Sequence, residues 1–178
     1  GRLEGANPDA PALLIGSHID TVIDAGRYDG TLGVVLGIVA VQALREAGIV
    51  PSCPIEVIAF GDEENARFPT NLSTSYALSG NYRAEWLDGI DEGGVSLKEA
   101  LIGFGGDPAR IGEIARDPKR YRGYLEVHIE QGPQLEAEGL PVGLVSAING
   151  VSRARLAVIG EAGHAGTVPM PMRREALA

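Results

Sequence analysis

The chain has 178 residues, 44% of them hydrophobic and 22% charged, and no apolar run approaches the roughly 18 residues that a membrane helix needs. Its net charge of −9 argues against a nucleic-acid partner, whose phosphates it would repel. The single cysteine, Cys53, cannot form an internal disulfide, which fits a reducing cytoplasm. The opening Gly1-Arg2-Leu3-Glu4-Gly5 lacks the apolar stretch of a targeting signal.

In chain order, the first element is the apolar run Ala12 to Gly16, bounded by Pro11 and predicted to be a buried strand that delivers His18 and Asp20 to its carboxyl end. The spacing lets His18 bind a metal while the Asp20 carboxylate accepts the other ring N–H. Asp29 stands in Gly26-Arg27-Tyr28-Asp29-Gly30, just before a helical pattern of Val34, Val35, Ile38, Val39, Val41 and Leu44 that stops at Gly48. Its carboxylate either caps that helix or bridges two cations. Gly30, Gly33 and Gly37 let the helix lie close on a sheet.

A second strand over Ile55 to Phe60 releases the chain at Gly61-Asp62-Glu63-Glu64-Asn65. One of these adjacent carboxylates can bind a metal while its neighbour addresses a water. The stretch from Ser79 to Arg120 reads as mostly helix or loop, and Gly103-Phe104-Gly105-Gly106 fails as a phosphate loop because Pro108 stands where the last glycine belongs. A third, mostly buried strand is predicted over Tyr124 to Ile129 and carries His128. After a strand from Val142 to Val145, a domain switch is expected near Ser146 to Gly150. The alternation from Val151 to Ile159 then reads as a half-buried strand of a smaller domain, and Met170 to Ala178 as a helix start.

Strand, helix, strand from Ala12 to Phe60 predicts an α/β sheet layer, and in open α/β sheets ligands bind at the carboxyl ends of strands. His18, Asp20, Asp29, Glu63, Glu64 and His128 form a series of imidazole and carboxylate donors suited to zinc or a similar divalent ion. Such a series is the toolkit of a hydrolase.

Five motifs in order carry a family resemblance: Gly16-Ser17-His18-Ile19-Asp20-Thr21-Val22, Gly26-Arg27-Tyr28-Asp29-Gly30, Asp62-Glu63-Glu64, His128-Ile129-Glu130-Gln131-Gly132-Pro133, and Ala162-Gly163-His164-Ala165-Gly166-Thr167-Val168-Pro169-Met170. The chain resembles the hydantoinase/carbamoylase branch of the M20 metallopeptidase superfamily, which includes N-carbamoyl-L-amino acid hydrolases and allantoate amidohydrolases. The resemblance implies a mixed-sheet metallohydrolase catalytic domain with helices on both faces over residues 1–147, and the beginning of a smaller α+β lid and dimerisation domain over 148–178. It implies two divalent ions, Zn or Mn, bridged by Asp29, with His18 and His128 on one and Glu64 on the other. Glu63 becomes the general base that activates a metal-held water, Asp20 the residue that orients His18, and Gln131 and His164 substrate contacts, with His164 also meeting the developing oxyanion. The substrate it implies is a small ureido or amide compound, turned over by a cytoplasmic homodimer that meets neither nucleic acid nor membrane. His128 favours this branch, since peptidase branches usually carry an acid there.

Departures from the family pattern are Asn65-Ala66-Arg67-Phe68 in place of Gly-Ser-Arg-Phe, Ser73-Thr74-Ser75 in place of Gly-Ser, and Glu175 in place of Asp. The family's last metal-binding histidine has no counterpart, because the three histidines present are His18, His128 and His164. The residues at hand thus supply about half of such an enzyme. Two alternatives stand beside the amidohydrolase: an aminopeptidase or dipeptidase of the same superfamily, and a non-catalytic metal-binding fragment.

Overall fold

The computed structural model describes residues 1–70, 72–152 and 154–176. They form a mixed α/β fold whose four-stranded sheet has β2 (Ala12–His18) at its centre, between β3 (Ile55–Phe60) and β4 (Tyr121–Leu125), with both pairings parallel. β1 (Arg2–Leu3) adds an antiparallel edge on β3, giving the order β1-β3-β2-β4. Six of the seven residues of β2 are buried, which explains why its sequence is a continuous apolar run rather than an alternation. Parallel neighbours need a crossover, and α1 (Thr31–Glu46) supplies the one from β2 to β3.

Helix α1 packs on β2 and β3 through Gly33, Val34 and Gly37. A methyl on Gly37 would meet Val57 and Ile15 side chains at 3.1 and 3.2 Å, so the helix lies about as close to the sheet as a glycine allows. The helix stops where the sequence indicates: Gly48 has φ +66°, Ile49 N–H donates to Leu44 O (2.9 Å) and Gly48 N–H to Arg45 O (3.1 Å), the paired bonds of a Schellman motif. At the other end, Gly30 occupies the N-cap with φ +68° and no side chain caps the helix. The capping alternative for Asp29 is therefore set aside.

Between β3 and β4 the chain runs through α2 (Ser73–Leu78), α3 (Leu97–Gly103) and short 3-10 turns, as the sequence indicates for residues 79 to 120. Trp86 organises this region, with Tyr76 and Tyr82 edge-on at 5.1 and 5.3 Å. A capping box starts α3: Ser96 Oγ accepts from Glu99 N–H while the Glu99 carboxylate accepts from Ser96 N–H.

The third strand differs from its sequence expectation. It begins and ends earlier, over Tyr121–Leu125, and four of its five residues are exposed because it forms a sheet edge. His128 lies three residues past its end. By contacts the chain divides into two compact units, Gly1–Pro133 and Gln134–Ala178. The second contains α4 (Gln134–Glu138), a 3-10 turn at Met170–Met172 and an isolated antiparallel bridge between Glu161 and Arg174. The strands expected at 142–145 and 151–159 are not formed among the described residues, and Arg153 lies outside them. Val142, Leu144, Leu156 and Ile159 are largely exposed, and an alternating segment becomes a strand only when a neighbour takes up its backbone groups. The helix expected from Met170 is limited to that single 3-10 turn; Leu177 and Ala178 lie outside the described residues.

Candidate metal centre

The carboxyl ends of β2 and β3 and the segment that follows β4 bring the predicted donors together. His18 closes β2 and is 5% exposed; Asp29, also 5% exposed, lies just ahead of α1; the His128 side chain is 27% exposed. His18 Nε2 and His128 Nε2 are 3.3 Å apart, and Asp29 Oδ1 is 3.5 Å from His128 Nε2. A second group joins His18 to Glu63 and Glu64, with the donor atoms of each group all within 4.8 Å of one another. Glu64 is grouped here with His18 and Glu63 rather than with Asp29, the bridge expected to join it to the second ion.

The imidazole tautomers follow from their partners. His18 Nδ1 lies 2.6 Å from Asp20 O and His128 Nδ1 lies 2.9 Å from Ile129 O. A carbonyl oxygen only accepts, so each Nδ1 carries the proton and each Nε2 turns its remaining position toward the other. Both Nε2 lone pairs then face the same small space, with the nitrogens 3.3 Å apart. Bonds of about 2.0–2.1 Å to a tetrahedral ion would set two imidazole nitrogens about 3.3–3.4 Å apart, so the donor set fits a divalent metal such as zinc.

Asp20 acts differently from its expected part. Its backbone carbonyl, not its carboxylate, holds the His18 ring. The carboxylate Oδ2 accepts from both Glu63 N–H and Glu64 N–H at 2.9 Å, which fixes the turn that presents the two acids. Asp20 Oδ1 is buried and has no hydrogen-bond partner among the described residues. Just upstream in that turn, Asp62 has φ +55°, and its Oδ2 accepts from the buried Thr70 and Ser73 hydroxyls, each at 2.6 Å. Burial lifts the Glu63 carboxyl above its ordinary range; the neighbouring His18 opposes this, while the Glu64, Asp20 and Glu126 charges add to it.

Gln131, with φ +56°, donates from Nε2 to Asp29 Oδ1 at 2.8 Å. His164 belongs to the second unit, where its Nδ1 accepts from Gly166 N–H at 3.0 Å. Two glycines make the site possible. A Cβ on Gly30 would stand 2.3 Å from His18 Cε1 and Nδ1, and one on Gly33 would stand 2.2 Å from Val127 O.

Sequence reasoning missed three polar residues. Ser17 Oγ donates to Glu126 Oε1 at 2.6 Å, and Tyr124 OH lies 3.0 Å from both Gly16 O and Glu126 Oε2. Burial, then the Glu126 charge, pushes the Tyr124 phenol well above its usual range. Together with His18, Glu63 and Phe60 these residues line an open cavity of about 310 Å³. The available signal was a carboxylate inside the apolar run Tyr124-Leu125-Glu126-Val127.

A mixed α/β sheet with imidazole and carboxylate donors gathered at the carboxyl ends of its parallel strands defines an α/β protein with a candidate metal centre. More narrowly, the chain belongs to peptidase family M20/M25/M40, whose pattern matches residues 14–174. It is 47% identical over 178 residues to an N-carbamoyl-L-amino acid amidohydrolase of Geobacillus stearothermophilus, covering 100% of this chain and 44% of that protein. It is likewise 47% identical over 182 residues to allantoate deiminase 1 of Glycine max, covering 100% of this chain and 38% of that one. A crystal structure of a hydantoinase/carbamoylase family amidase from Burkholderia ambifaria superposes with a TM-score of 0.71 at 34% identity, over 97% of this chain and 42% of the other. The chain spans less than half the length of these relatives.

Proposed function

We propose that this chain is the metal-bearing part of an amidohydrolase that cleaves a C–N bond in N-carbamoyl amino acids or allantoate-like ureido acids. The observation that carries the reading is the convergence of His18, His128 and Asp29 on one point, with Glu63 and Glu64 reached through the same His18. The names of the relatives supply the substrate class.

In this reading His18, His128, Asp29 and Glu64 hold two divalent ions, Zn or Mn. When bound, such ions polarise the scissile carbonyl and lower the pKa of a nucleophilic water toward neutrality. Glu63 takes the proton of that water and returns it to the leaving nitrogen, a dual duty suited to a carboxyl whose proton affinity is raised by burial. Asp20 keeps the Glu63 and Glu64 backbone in place. Gln131 turns from Asp29 to the substrate, and His164, on a smaller lid and dimerisation domain beginning at residue 148, meets the oxyanion. Residues 1–147 belong to a catalytic domain with helices on both sheet faces. The working protein is a cytoplasmic homodimer, as the family resemblance implies. Among the described residues, no helix is long and apolar enough to cross a membrane.

Turnover of N-carbamoyl-L-amino acids, allantoate and dipeptides should be compared for the chain alone and for the longest natural form that carries it. Release of the ureido nitrogen is the expected result. Cleavage of dipeptides alone would move the protein to the peptidase branch. Bound metal without turnover in either form would leave a metal-binding fragment.

A further inference from the structure

We infer that Glu126 is a positioning residue of the metal centre: a carboxylate crossbar that sets the spacing of His18 and His128. The inference rests on the reading of those histidines as metal ligands.

The sheet itself does not fix that spacing. On the β4 side the backbone pairing of β2 ends at Ile15 with Leu125, leaving Gly16, Ser17 and His18 paired only to β3. His128 lies beyond the last ladder residue. Side chains span this gap. Glu126 Oε1 accepts from Ser17 Oγ at 2.6 Å, Tyr124 OH stands 3.0 Å from Glu126 Oε2, and the same hydroxyl stands 3.0 Å from Gly16 O. Ser17 is the residue before His18, and Glu126 is two residues before His128. One carboxylate thus ties the strand that bears the first histidine to the segment that bears the second.

Geometry makes this tie strong. Ser17 is 1% exposed, and a short bond to a carboxylate is among the stronger hydrogen bonds available. On the far side of the segment, Val127 O is pressed against Gly33 of α1, where a Cβ would stand 2.2 Å from that oxygen. Helix on one side and crossbar on the other leave the segment little room to shift. Two imidazole Nε2 atoms held 3.3 Å apart are prearranged for an ion, and residues that orient ligands typically affect metal affinity about 10–100-fold.

The test is a Co²⁺ titration of the chain followed through the d–d absorption, which reports ligand geometry as well as occupancy. Wild type, Ser17→Ala, Glu126→Gln and the double variant are compared. Each single change should weaken Co²⁺ binding about tenfold or more and alter the band shape, and the double variant should be no weaker than the poorer single one, since both act on the same bond: Ser17→Ala deletes its donor and Glu126→Gln replaces its charged acceptor with a neutral one. Single variants that bind within twofold of wild type with unchanged spectra would overturn the crossbar, as would losses that multiply. If Glu126→Gln fails to fold, Ser17→Ala, which removes one oxygen, decides alone. A wild-type chain that takes up no Co²⁺ defeats the metal-centre reading itself, a result distinct from failure of the crossbar.

Discussion

Replacing Gly33 by alanine sets two effects of known size against each other. In an exposed helix interior the exchange stabilises by about 1 kcal/mol, because alanine loses less backbone entropy. In α1 the new Cβ would stand 2.2 Å from Val127 O and 2.7 Å from Ser17 Cβ. Neither obstacle can rotate away, since one is main chain and the other is the first atom of its side chain. Relief requires the helix and the Val127 segment to separate by roughly 1 Å to regain ordinary contact. Overpacking of that kind costs about 1–3 kcal/mol, so the net loss is expected to reach about 2 kcal/mol.

Urea and thermal unfolding of the metal-free chain measure this directly, with two glycines as internal standards. At Gly37 the added methyl meets only Val57 and Ile15 methyls, at 3.1 and 3.2 Å, which can yield, so that variant should lie near wild type. At Gly103, the last residue of α3, nothing lies within 4 Å and the exchange should be neutral or stabilising. The expected order of stability is Gly103→Ala, Gly37→Ala, Gly33→Ala, with a Tm drop of about 2–4 °C per kcal/mol for a chain of this size. Gly33→Ala should also weaken Zn²⁺ binding, because His128 follows Val127. A Gly33→Ala chain as stable as Gly103→Ala and equal to wild type in Zn²⁺ affinity would refute the close-contact reasoning.

Glu63→Gln should lower turnover by about 10²–10⁴-fold while sparing metal uptake, and unchanged rates would reject Glu63 as the base. Asp20→Ala strands two backbone N–H groups, those of Glu63 and Glu64, and should destabilise by about 1–3 kcal/mol more than Asp20→Asn, which keeps an acceptor; chemical denaturation ranks the pair. Glu56 is held below the ordinary carboxylate range: burial raises it, but hydrogen bonds from Arg2 and Tyr121 prevail. A depressed folded-state pKa contributes stability above the unfolded value near 4.3 and loses it as pH falls through the folded value. The urea midpoint of wild type should therefore fall more steeply than that of Glu56→Gln below about pH 4.3, and parallel curves would remove Glu56 from the acid response.

What the sequence made legible follows its local physics. The run Ala12 to Gly16 reads as a buried central strand because β2 is covered on both faces, and α1 announces its end through Gly48 because only a left-handed residue closes a Schellman turn cheaply. The donor residues could be picked out because imidazole and carboxylate groups at strand exits are chemically conspicuous. Their contacts could not. Whether Asp20 meets His18 through its carboxylate or its carbonyl depends on where the Glu63–Glu64 turn brings its N–H groups, a contact between segments 43 and 44 residues apart. Likewise, the extent of β4 is fixed by pairing with β2, more than a hundred residues away in sequence, and the alternating segment after Val151 has no such neighbour among the described residues.

These long-range contacts explain why the missed residues cluster beside the histidines. A parallel ladder holds strands only as far as their backbones pair, and a metal ligand placed past the last pair needs another restraint. At β3 that restraint is the Asp20 carboxylate holding the Glu63 and Glu64 N–H groups; at β4 it is Glu126 holding Ser17. Both are carboxylates reaching across from the neighbouring strand's exit, and each steadies a turn that carries a candidate ligand. In this chain the two charged residues beside strand ends are thus braces rather than solvated acids, and the Ser17→Ala titration tests this for Glu126 because a solvated acid would leave Co²⁺ affinity untouched.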